Sequence, residues 1–285
     1  MTNRIIAILI ILVSSLLDVD AKEQRIVTLS SAITETVFGL GLGDQVVATD
    51  VTSLSPKAAA TLPKVSKNRS ISAEGVMAFR PTIVLVLEGD IPPTVLKHLK
   101  TSGIRVVTLK QTFTEQGAYR FMQQIADVLQ VPDRGKEIVA RTKLTMQKVS
   151  EMISEEMSGR KKPTVLFIYA RGTGTMSVSG KGSSLDALIG LAGGKNAVQE
   201  FAEFKPYSTE ALVKANPDVI LLFDFGVSSL GGKDAILKMP GVRLTEAGKH
   251  QRIVSMNASL LVNFSTRLPE AVLALHQALI AITTN

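Results

Sequence analysis

The chain has 285 residues, 45% of them hydrophobic and 20% charged, so it folds around a sizeable core and is too apolar for disorder. It has no Cys and three His, at 98, 250 and 276, which excludes a disulfide scaffold, a thiolate metal site, a cysteine nucleophile and a histidine-rich metal cage. Its net charge is +7, but the basic residues are scattered, with no run longer than 160–162, and 5% aromatics offer little for base stacking, so nucleic acid is not an expected partner.

Met1 to Arg4 is a short positive start, Ile5 to Leu17 an apolar run, and Val19-Asp20-Ala21 a small-residue site. These are the three parts of a cleavable secretory signal, and the run is short for a membrane span. Cleavage after Ala21 leaves a mature chain of 31 basic and 23 acidic residues, net +8, expected in the periplasm. The mature chain then alternates. A strand at 25–30, a helix at 32–43 and a strand at 45–49 are followed by a helix at 72–79 and the wholly apolar run Ile83 to Leu87. A helix at 92–101 and a strand at 104–109 continue the pattern. Continuous apolar strands alternating with helices indicate βαβ units around parallel sheets.

Residues 132–160 lack an internal Pro, carry Gly only at 135 and 159, and space Ile138, Thr142, Val149 and Ile153 as a helix would. A strand at 164–169 restarts the alternation, and the second half echoes the first. Phe38 to Val47 resembles Ile189 to Val198, and Ser72-Ala-Glu74 with Pro81 and Ile83-Val-Leu85 matches Ser208-Thr-Glu210 with Pro217 and Val219-Ile-Leu221. The expected architecture is α/β: two similar lobes with mainly parallel central sheets, joined by one long helix, with a ligand cleft between them. The expected boundaries are a signal at 1–21, an N-terminal lobe at 22–131, the bridging helix at 132–160 and a C-terminal lobe at 161–285. Clefts between lobes are common ligand sites.

Glu74 and Glu210, each heading a helix that ends before a Pro and a buried strand, resemble the docking glutamates of helix-bridged substrate-binding proteins. These serve ABC importers of haem, siderophores and cobalamin. The stretches 62–69, 72–76, 205–212 and 260–270 are most similar to the haemin-binding branch. The resemblance spans the mature chain and implies a monomeric, non-enzymatic carrier of haem, held as transported ligand and not as cofactor. It implies permease subunits as partners of Glu74 and Glu210, with an outer-membrane receptor system acting upstream. A ferric siderophore or cobalamin is the alternative ligand.

The family's iron-ligating Tyr has no counterpart, since Lys67 occupies that place in the turn 65–69, and Arg171 stands nearest the place of a second family ligand, His. Tyr169 and Tyr207 are the alternative phenols for iron, with Met176 as a soft axial group. Lys67, Arg69, Arg171 and Lys205 fall on loops expected at the cleft rim, where cations suit carboxylates. The competing reading is an exported enzyme using Glu35 or Asp186 as acid or base. No phosphate-binding loop or serine elbow is present at the required spacing. The three His read as surface residues.

Overall fold

The structure is a computed structural model and describes residues 24–170 and 176–283. The expected signal at 1–21 lies outside the described residues. Strands β1 (Ile26–Leu29), β2 (Val46–Thr49), β3 (Ile83–Leu87) and β4 (Arg105–Leu109) form an all-parallel sheet in the order β2-β1-β3-β4. Helices α1 (Ser31–Gly39), α2 (Lys57–Thr61), α3 (Ala73–Met77), α4 (Pro93–Thr101) and α5 (Glu115–Val128) connect and cover it. Alternate strand residues feed two cores, one holding Ile26, Ile83 and Leu85 under α1 and α5, the other Val27, Val84 and Val86 over α3 and α4. A sheet buried on both faces needs continuous apolar strands, as 83–87 has.

α6 (Pro132–Glu156) is 25 residues long, about 37 Å at 1.5 Å per residue. Pro132 opens it, and it stops short of residue 160 because the chain turns through Gly159 at φ +71°. Its buried stripe is Ile138, Thr142, Met146, Val149 and Ile153. Ile138 belongs to the first lobe's core, and Met146, Val149 and Ile153 to the second's. Gly135 permits the close pass of α5, since a Cβ there would stand 2.5 Å from the Ala126 Cβ.

The second sheet is built from β5 (Thr164–Tyr169), β6 (Ser177–Ser179), β7 (Lys195–Asn196), β8 (Phe204–Pro206), β9 (Val219–Phe223) and β10 (Ile253–Met256). Its order is β10-β9-β5-β6-β8, with β7 pairing β5 in parallel and β6 antiparallel to both neighbours. Between them run α7 (Ser184–Leu191), α8 (Thr209–Ala215), α9 (Asp224–Leu230), α10 (Lys233–Leu237), α11 (Glu246–Lys249), α12 (Ala258–Val262) and α13 (Leu268–Thr283). β9 lies 136 positions after β3, and the helices before them are capped alike. Ser72 accepts from Gly75 N and Ser208 from Ala211 N, each at 3.1 Å. The architecture is therefore α/β, with two related sheets and a long helix whose stripe serves both cores.

Candidate ligand cleft

In the first sheet the chain runs from β1 to β2 on one side, then crosses to β3 on the other. Ligands of open parallel sheets bind beyond the carboxyl ends of strands at such a switch point. A cavity of about 300 Å³ opens there. Leu29 at the end of β1 and Ser30 after it, Asp50 after β2, Leu87 at the end of β3 and Gln111 and Phe113 after β4 form its N-terminal side. Ser184 at the start of α7, together with Ala258, Val262 and Asn263, closes it from the second lobe. Arg69 and Ile71 stand at its edge and are shared with a neighbouring recess of about 630 Å³ that runs along Gly89 to Pro93.

A chain of hydroxyls stiffens the floor. Thr34 Oγ1 is 2.6 Å from Thr28 Oγ1 and 2.7 Å from Ser53 Oγ, and Ser53 donates to Asp50 Oδ1 at 2.5 Å. The second Asp50 oxygen accepts from Thr52 N and Thr52 Oγ1. Behind this loop Lys64 donates to Thr49 Oγ1, Ser53 O and Ala59 O. Burial lowers the Lys64 pKa, opposed by the Asp50 charge. Burial also raises the Asp90 pKa, helped by Asp50 and opposed by Arg69. Among the described residues, the charged groups that line the cleft are thus one guanidinium, Arg69, and two carboxylates, Asp50 and Asp90.

The lobes touch through α1 and the segment after α12. Asn263 Nδ2 donates to Ser31 Oγ at 2.9 Å, and Ser265 Oγ to Glu35 Oε2 at 2.6 Å. Arg267 Nη1 reaches Glu35 Oε1 at 3.5 Å and Ser55 Oγ at 3.0 Å. Glu35 is 3% exposed, and burial raises its pKa against the lowering effects of Ser265 and Arg267. Its partners make it a tie between lobes. Asp186 serves likewise inside the second lobe, accepting from Gly182 N, Asn196 Nδ2 and Gln199 Nε2.

Of the cations expected at the rim, Arg69 lines the cavity. Lys67 is exposed on the same turn. Lys205, on β8, lies over the Phe201 ring at 5.2 Å and is not part of the cavity wall. Arg171 lies outside the described residues. The second sheet separates the two tyrosines. Tyr169 packs with the α6, α7 and α13 face, in edge contact with Phe223 and Phe225. Tyr207 packs on the opposite face with Met176 and donates to Glu200 Oε1 at 3.2 Å. Burial and the Glu200 charge push the Tyr207 pKa up to about 12, the reverse of what a phenolate ligand needs. Among the described residues no group of three His, Cys, Asp or Glu side chains could hold a metal ion.

Glu74 and Glu210 are both exposed in the first turns of α3 and α8. Their own backbone N–H groups hold both carboxyls below the usual range, with the capping serines adding to the effect. His98 Nδ1 lies 3.7 Å from Glu74 Oε1, and His98 and His250 are each half exposed. His276 differs from its expected surface position. It is 1% exposed on the inner side of α13, with Nδ1 3.0 Å from Ala192 O and Nε2 3.0 Å from Glu156 Oε2. The sequence reading also passed over Ser30, Asp50, Asp90, Gln111 and Asn263. All but Asn263 lie just past a strand of the first sheet, so strand ends were the signal available for them.

Comparison with known proteins fits this geometry. The periplasmic haem-binding protein RhuT from Roseiflexus sp. RS-1 superposes with a TM-score of 0.87 at 32% identity, covering 92% of this chain and 99% of that one. The ABC transporter substrate-binding lipoprotein YvrC of Bacillus subtilis is 26% identical over 90% of this chain and 80% of its own length. The vitamin B12-binding protein of Vibrio parahaemolyticus is 25% identical over 81% of this chain and 82% of its own. With the family model matching residues 26–260, the chain belongs to the periplasmic binding protein family of substrate carriers.

Proposed function

We propose that the chain captures haem, as haemin, in the cavity between its lobes and delivers it to the permease of an ABC importer. The observation that carries this is the cavity at the strand ends. Its walls are apolar at Leu29, Ile71, Leu87 and Phe113, with Arg69 at the edge, in a chain 32% identical to a haem-binding structure. Arg69 is the described cation for a propionate, with Lys67 exposed on the same turn. Tyr169 ends β5, outside the wall of this cavity, and is favoured over Tyr207 as the phenol for iron only because Tyr207 is bound to Glu200 on the far face. Glu74 and Glu210, exposed and ionised at matched positions, are the permease contacts. The site of action is the periplasm, after loss of residues 1–21. The vitamin B12-binding relative favours cobalamin as the second reading.

The test is a haemin titration of residues 22–285 followed by absorbance, with cyanocobalamin in parallel. Saturation at one equivalent with a ferric phenolate band, abolished by Tyr169→Phe and kept by Tyr207→Phe, is the expected result. Saturation by cyanocobalamin and not by haemin would replace the ligand.

A further inference from the structure

We propose that Lys64 is the counter-charge of the cleft floor, set behind the wall to offset the Asp50 carboxylate and so admit a ligand with carboxylate arms. This inference rests on the haem reading, since haem bears two propionates. Lys64 does not line the cavity, so it is a positioning residue and not a ligand contact.

One loop stands between two opposite charges. Asp50 is 8% exposed and lines the cavity. It accepts from Ser53 Oγ, Thr52 N and Thr52 Oγ1, all of them neutral donors. Such bonds solvate a carboxylate without cancelling its charge. The Lys64 ammonium donates to Thr49 Oγ1 and Ser53 O, each at 2.7 Å, and to Ala59 O at 3.1 Å, again all neutral partners. Its three protons are thereby placed. Thr49 and Ser53 lie on either side of Asp50 in the chain, and Ser53 is bonded to both charged groups.

A neutral donor could brace this loop equally well. The desolvation that lowers the Lys64 pKa is a cost that such a donor would avoid. What the ammonium adds is charge, and the Asp50 charge is the one that acts on it in return. The field of Asp50 also reaches Asp90, whose pKa it helps to raise. Asp50, Asp90 and Arg69 leave the lining with one negative charge in excess, and Lys64 brings the sum to zero. A unit charge several ångströms from a bound carboxylate changes its affinity by about tenfold at the effective dielectric of protein sites. Without Lys64 that penalty would fall on an anionic ligand and spare a neutral one.

The experiment compares haemin with haemin dimethyl ester on the mature chain, on Lys64→Met and Lys64→Gln, and on each variant with Asp50→Asn added. Circular dichroism checks folding. Both single variants should weaken haemin about tenfold and the ester by no more than about threefold. Adding Asp50→Asn should return the haemin-to-ester affinity ratio to within about threefold of the wild-type ratio. Lys64→Gln keeps donors for the loop, so it decides should Lys64→Met not fold. Equal weakening of both ligands overturns the counter-charge, reduces Lys64 to a brace and leaves the haem reading standing. Unchanged haemin affinity overturns it too, as does a ratio that stays low after Asp50→Asn. Binding of neither ligand by the wild type overturns the haem reading and the counter-charge with it.

Discussion

Glu35 shows how one side chain can tie two lobes. It sits on α1, is almost wholly buried, and takes bonds from Ser265 and Arg267 across the lobe boundary. Because burial raises its pKa above the unfolded value, the native state holds the proton longer as pH rises. Stability from this group is therefore full below the unfolded pKa and is lost as pH climbs through the raised one. Urea midpoints measured from pH 4 to 8 should show this fall, and Glu35→Gln, which keeps a partner for Ser265, should flatten it. Glu35→Ala should lower stability by about 1 to 3 kcal/mol, less than a fully buried pair, because Arg267 is partly solvated and keeps Glu270. A midpoint in Glu35→Ala equal to wild type would show that the tie contributes nothing.

Among the elements, α5 and α6 pass close together at Gly135. Gly135→Ala puts a methyl within clashing distance of the Ala126 methyl and the Gln123 amide. Alanine favours helix by about 1 kcal/mol, yet overpacking costs about 1 to 3, so a net loss of stability is expected in thermal melts. A gain would mean that the helices part freely. Elements of this kind differ in how plainly the sequence declares them. β3, β5 and β9 are continuous apolar runs and were legible, as were the caps Ser72 and Ser208. β6, β7 and β8 were not, being two or three residues long and held by their neighbours in the sheet. The sequence reading left α5 unassigned, although Phe121, Met122 and Ile125 face the core with helical spacing. His276 read as a surface residue because its burial comes from α6 and the end of α7, both distant in the chain. Tyr207 could not be set apart from Tyr169 by sequence either, because the face of a sheet on which a residue falls depends on pairing register.

For the molecule as a whole, the docking role proposed for Glu74 and Glu210 can be separated from ligand binding by experiment. The double variant Glu74→Arg with Glu210→Arg should keep haemin affinity in solution and abolish ligand uptake in cells. Neither carboxylate lines the cavity, so a loss of affinity in the double variant would remove the docking assignment.

The stripe on α6 has a consequence for how the chain comes apart. Ile138 is packed into one core, and Met146, Val149 and Ile153 into the other, along one uninterrupted helix. Neither lobe can melt alone without stripping the shared helix of the contacts it makes in that lobe's core. Cooperative units follow packing, not the outline of a fold. The protein should therefore lose both lobes in a single calorimetric transition, with slow-exchanging amides running the length of α6, and a carrier built this way presents no half-folded form to the proteases around it.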